Sequence, residues 1–171
     1  MKKNFLVAMV SLLVLTASTA SAGLRLPNSD EILAEMRANP SNFIQYGAAS
    51  TGLSLFIAKN SLNVEHYSPP NYIISARRVV HFNSGRIDIV EEGISNDSVI
   101  RYKYDYASRK MYMETLDENK NRIWKYLDPA TRKTYHDDNF IAAGEYLFYF
   151  AYRMSFYDKP VTPAAQHLIY K

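Results

Sequence analysis

The residues best suited to touching another molecule lie in one short stretch, Arg101-Tyr102-Lys103-Tyr104, with Tyr106 just beyond. Arginine and lysine offer charge, and tyrosine offers apolar area with a polar tip, so this stretch suits contact with a protein or a glycan. Strand alternation would put Tyr102, Tyr104 and Tyr106 on one face and Val99, Arg101, Lys103 and Asp105 on the other. Whichever face is exposed decides which pair makes the contact. The competing reading packs the tyrosine face under a helix.

Other chemistries find less material. Asp117-x-Asn119-x-Asn121, with Asp128 at the twelfth place, has the oxygen ligands of a calcium loop. Its sixth place, where such loops turn sharply on glycine, is Arg122, and its twelfth is Asp, so a plain hairpin turn is expected. His66, His81, His136 and His167 show no ligand spacing, and there is no cysteine to assist them. No G-x-S-x-G or S-x-x-K pattern supplies a serine nucleophile; Gly52-Leu53-Ser54 lacks the second glycine. The acid pairs Glu91-Glu92 and Asp137-Asp138 suit a turn and a helix start better than sugar hydrolysis. Six glycines in 171 residues, with no Walker or dinucleotide pattern, leave no phosphate-cradling loop. No cofactor and no metal site is expected.

These residues need elements to hold them. Ser29 is expected to cap a short helix with Ile32, Leu33 and Met36 as its apolar stripe, ended by Asn39-Pro40. Gly47 to Gly52 reads as a turn and Leu53 to Ala58 as a strand; Ser68-Pro69-Pro70 then punctuates the chain. Tyr72 to Phe82 is β-rich, although Arg77-Arg78 interrupts its alternation. A turn at Asn83-Ser84-Gly85, a strand at Ile87 to Val90 and a turn from Gly93 to Asp97 follow. Val99 to Tyr106, Lys110 to Leu116 and Arg122 to Leu127 then form a three-stranded meander. Beyond it, Asp137-Asp138-Asn139 is expected to cap a helix from about Phe140 to Tyr157. Its eight aromatics are spread around it, so it should be contacted on more than one side. The tail after Pro160 and Pro163 is unassigned. The fold class expected is α+β: an antiparallel sheet of about five strands, covered by a long aromatic C-terminal helix, with a short N-terminal helix.

Residues 1–22 read as a secretory signal peptide. Lys2 and Lys3 are followed by an apolar run from Phe5 to Leu15 and an Ala20-Ser21-Ala22 cleavage site. The run is shorter than the ~20 residues a membrane span needs, and no cysteine follows it to carry a lipid. One exported domain, residues 23–171, is therefore expected in the periplasm or outside the cell, with no transmembrane anchor after cleavage. Without Lys2 and Lys3, eighteen basic residues face seventeen acidic ones, and that near-neutral balance argues against a nucleic-acid partner. Arg77-Arg78, Arg101 with Lys103, and Arg109-Lys110 are left as local patches, each readable as a solvated strand face. A cysteine-free chain must gain its stability from packing.

Three stretches carry a family likeness: Ser61-Leu62-Asn63-Val64 leading to Pro69-Pro70-Asn71-Tyr72; Tyr102 to Tyr106 through Lys110-Met111-Tyr112; and Ile123 to Pro129 before a terminal helix. Over roughly residues 53–157 the chain resembles small exported bacterial proteins similar to the surface-adhesin protein E domain. The resemblance implies a curved antiparallel sheet with helices packed on it. The adhesin that gives the family its name binds host matrix and serum proteins, but it is membrane-tethered. This chain has neither a lipid-attachment cysteine nor a disulfide, so no binding residue is carried over. The expectation is a non-enzymatic envelope domain that binds an envelope or extracellular protein or glycan. The alternative is an envelope hydrolase whose acids and histidines meet only in three dimensions. Pairing of two copies through an uncovered sheet edge is a third way to use the fold.

Overall fold

The computed structural model describes residues 27–48, 52–83, 92–131, 135–159 and 161–169. They form an α+β fold: α1 (Ser29–Ala38), β1 (Phe43–Ala48), β2 (Leu53–Ser68), β3 (Asn71–Asn83), β4 (Glu92–Asp105), β5 (Lys110–Leu116), β6 (Arg122–Tyr126), α2 (Tyr135–Tyr152) and α3 (Pro163–Ile169). The strands make one six-stranded antiparallel sheet in the order β1-β2-β3-β4-β5-β6, so each pairs with its neighbour in the chain. The expected signal peptide (residues 1–22) and the expected strand at Ile87 to Val90 lie outside the described residues. Among those described, no helix is long and apolar enough to cross a membrane.

One face of the sheet carries Tyr72, Ile74, Ala76, Ile100, Tyr102, Tyr104 and Met111, which form a single core with Ile141, Leu147 and Phe148 of α2. The strand period of two sets this face, and α2 covers it because a half-apolar sheet needs a second layer. Phe148 is the hub, with ring centroids 5.1 Å from Tyr104, 5.5 Å from Tyr106, 5.2 Å from Phe156 and 5.6 Å from Tyr72. Much of the aromatic excess in the composition is thus internal packing. Opposite, α1 lies on one end of the outer face, where Ile32 and Met36 meet Phe43, Phe56, Ala58, Val79 and Ile94.

Several boundaries differ from the sequence reading. There are six strands rather than five, because Phe43–Ala48 pairs with β2 and takes in Gly47, which had read as turn. Strand β2 runs on to Ser68, through the largely polar and exposed Lys59–Ser68 that hid its second half. Gly93 to Asp97 is strand, not turn. A Cβ on Gly93 would stand 2.7 Å from the Phe82 ring, so the glycine serves close packing rather than a bend. The cap of α1 is Asn28, not Ser29: its side chain accepts from the Glu31 N–H at 2.9 Å, and Glu31 accepts from the Asn28 N–H at 2.8 Å.

Helix α2 starts and stops about five residues earlier than expected. It ends where Arg153 adopts φ 56°, with its N–H donating to Tyr149 O at 2.7 Å, and Phe156 and Tyr157 then fold back onto the core. The tail read as unassigned contains α3, with Pro163 at its first position. Thr162 Oγ1 accepts from the Ala165 N–H at 3.2 Å, and buried Glu145 accepts from the Val161 N–H at 3.1 Å.

Candidate functional site

Strand β4 divides the four sequence-selected residues between the two faces. Tyr102 and Tyr104 are 0% exposed under α2 and are not a contact surface. Their hydroxyls donate to backbone carbonyls of the helix, Tyr102 to Phe140 O at 2.9 Å and Tyr104 to Gly144 O at 2.8 Å. Burial pushes both phenols well above their ordinary range, so they stay protonated donors. The pair bolts helix to sheet, and the reading of them as partner-binding residues is corrected accordingly.

Arg101 and Lys103 point the other way, onto the half of the outer face that α1 does not cover. Antiparallel register aligns Lys103 with Tyr112 and Tyr112 with Tyr126; the next row out pairs Glu114 with Trp124. Lys103 Nζ lies 4.8 Å from the Tyr112 ring centroid and 5.6 Å from that of Trp124, and the Arg101 guanidinium is 5.6 Å from Trp124. Tyr112 and Tyr126 stand 5.4 Å apart. The result is a shallow patch of aromatic faces edged by cations, on a rigid sheet.

Carboxylates fix the cations in place. Arg101 pairs with Glu65 at 2.5 Å and with Glu114, which also receives Arg122 at 3.3 Å. The hydrogen bonds from Arg101 hold the Glu65 carboxyl below the usual carboxylate range, against the partial burial that would raise it; Glu65 in turn raises Arg101. Held this way, Arg101 orients the patch more than it offers free charge, whereas Lys103 has aromatic neighbours and no ion pair among the described residues. Such a surface can stack on a sugar ring or receive an aromatic side chain.

The remaining candidates are spread over the fold. Asp117 Oδ1 accepts from the Asn119 and Asn121 N–H groups at 2.9 and 2.8 Å, and Lys120 takes φ 62°, which makes the acidic segment the β5–β6 hairpin turn. Among the described residues, no group of three His, Asp or Glu side chains comes together. His81 Nε2 meets Glu92 at 2.9 Å, with Arg37 of α1 on the same carboxylate, on the outer face. Among the described residues, no histidine lines any of four cavities in the fold. Arg77 pairs with Glu35 at 2.5 Å, and Arg109 lies 3.7 Å over Tyr106 while donating to Phe156 O at 2.8 Å.

Sequence reasoning missed Tyr112, Trp124 and Tyr126. The signal was present, since a two-residue period in β5 and β6 and two short turns fix the register that puts them beside Lys103. No family model, curated protein or solved structure matches the chain.

Proposed function

We propose that the chain is an exported, non-enzymatic binding domain of the cell envelope, and that its contact surface is the uncovered half of the outer sheet face around Lys103, Tyr112, Trp124 and Tyr126, with Arg101 as its brace. The carrying observation is the aromatic–cation row itself: Lys103 sits 4.8 Å from Tyr112 and 5.6 Å from Trp124 on a face that no helix covers among the described residues. Aromatic residues and arginine dominate contact energies where a partner excludes water, and aromatic faces also suit the apolar side of a sugar. The partner class is an envelope or extracellular protein or glycan. The hydrolase alternative has His81 with Glu92 to draw on, but Arg37 of α1 already holds that carboxylate.

The test is capture from native envelope extract by tagged residues 23–171, followed by titration of the captured molecule. Trp124 is the only tryptophan in the chain, so its emission reports on the patch directly. Lys103→Ala and Trp124→Ala should each lose capture while the fold is kept, and the partner should shift the Trp124 emission. Capture that survives both changes would refute the surface, and absence of any partner would refute the role.

A further inference from the structure

Strands β4 and β5 pair only from Tyr102 opposite Met113 to Asp105 opposite Lys110. Beyond that point β4 continues beside β3, while β5 turns away with β6, and a cavity of about 600 Å³ opens in the fork. It reaches from Arg101, Glu114 and Arg122 on the outer face to Arg78, Ile100, Leu127 and Phe140 on the helix side. A second cavity of about 350 Å³, on the other side of Arg78 and Phe140, is lined by Tyr46, Leu55, Val80 and Asn139.

Arg78 is the unusual residue here. Its neighbour Arg77 faces outward and is paired, but Arg78 faces the core side, where no described carboxylate bonds it, and its Nε–H is buried without an acceptor. Ser98 sits opposite Arg78 in the register, and its Oγ is also buried and unbonded. Tyr46, only 1% exposed, draws on Arg78 from the side of the second cavity. The fork thus holds a guanidinium with no described carboxylate on it, beside Ile100, Met113, Leu127 and Phe140. An anionic acceptor would complete it.

We propose that this fork is a ligand site for an organic anion with a carboxylate head and an apolar body, the head on Arg78 beside Ser98, and the body along Ile100, Met113 and Phe140. The volume suits a small molecule, since ligand pockets commonly span ~300–1,000 Å³. Glu114 does not repel the anion, because Arg101 and Arg122 neutralise it, and Lys125 adds a further positive charge at the rim. The site adjoins the proposed contact surface at Arg101, but Arg78 lies behind the sheet, and neither Lys103 nor Trp124 lines the cavity.

The test is calorimetric and NMR titration of the purified chain with octanoate, with octan-1-ol as the neutral analogue. Octanoate is expected to bind once per chain, about tenfold or more tighter than the alcohol, as a charge-assisted bond to arginine implies. It should shift the Met113 methyl and Phe140 ring resonances. Arg78→Met should remove the preference for the anion while leaving the alcohol unaffected. Ser98→Ala, which deletes the hydroxyl beside Arg78, should weaken octanoate severalfold and stand in if Arg78→Met does not fold. Equal binding of acid and alcohol, no saturable octanoate binding, or undiminished octanoate affinity in Arg78→Met would overturn the proposal, as would undiminished affinity in Ser98→Ala.

Discussion

Gly144 is where α2 comes closest to the sheet, and replacing it tests the packing that buries Tyr102 and Tyr104. A Cβ at this position would stand 2.0 Å from Met111 Sδ and 3.0 Å from two atoms of the Tyr102 ring. Neither neighbour has room to withdraw. Met111 is 0% exposed, and Tyr102 is stacked beside Tyr104 at 6.2 Å with its hydroxyl committed to Phe140 O. In an open helix, Gly→Ala would stabilise by about 1 kcal/mol, whereas forcing atoms into a filled core costs ~1–3 kcal/mol. A 2.0 Å approach belongs at the upper end of that range, so Gly144→Ala should lose about 2 kcal/mol net, or ~4–8 °C in melting temperature for a chain of this size. The assay is thermal and urea unfolding of the wild type, Gly144→Ala, Met111→Ala and the double variant. Removing the Met111 side chain takes away the main obstacle, so alanine at 144 should cost at least about 1 kcal/mol less on that background. A single variant as stable as the wild type, or a cycle with no coupling, would refute the close approach of α2 and the structural role given to the two tyrosines.

Tyr104→Phe should cost about 1–3 kcal/mol, because the buried Gly144 carbonyl loses the Tyr104 donor; it should leave partner capture intact, as urea midpoints and pull-downs on the same protein would show. Asn28→Ala should destabilise by about 1 kcal/mol through the lost capping box of α1, measured by thermal melting. Glu65 sits below its ordinary value of 4.5 in the folded state, chiefly through Arg101, so its stabilisation is complete above that value and lost as pH falls through the folded one. Asp97 works in the opposite sense: burial raises it above 3.8, so its unfavourable charge is relieved as pH falls. Glu65→Gln should therefore show a smaller loss of urea midpoint than the wild type between about pH 6 and about pH 3.5; an unchanged loss would remove Glu65 from the acid response.

Much of the sheet is legible because its strongest signals are local. Val99 to Tyr106 alternates cleanly, and the turns at Ala107-Ser108-Arg109 and Asp117 to Asn121 are short enough to force antiparallel neighbours. The misread segments are those where tertiary packing overrides residue preference. Gly93, Asn96 and Asp97 are turn formers held in a strand by pairing with β3, and Pro163 starts a helix in a tail that the sequence leaves unassigned. The contact surface was half legible. Alternation separates Arg101 and Lys103 from Tyr102 and Tyr104, but only the placement of α1 and α2 on opposite faces says which pair is covered. Arg78 was hidden for a related reason. In Arg77-Arg78 one side chain must point inward; Arg78 follows Tyr72, Ile74 and Ala76 in unbroken alternation, and only the placement of α2 makes that face the inner one.

The strictly sequential strand order has a consequence for the birth of the chain. Each strand pairs with the one just before it in the chain, so the sheet can zip up in order without waiting for distant segments. The helix that roofs it is encoded only after β6. Until α2 docks, the sheet holds Tyr72, Ile74, Tyr102 and Tyr104 open to water as a sticky aromatic plane. The roofless sheet is the form of this protein that a chaperone would have to cover.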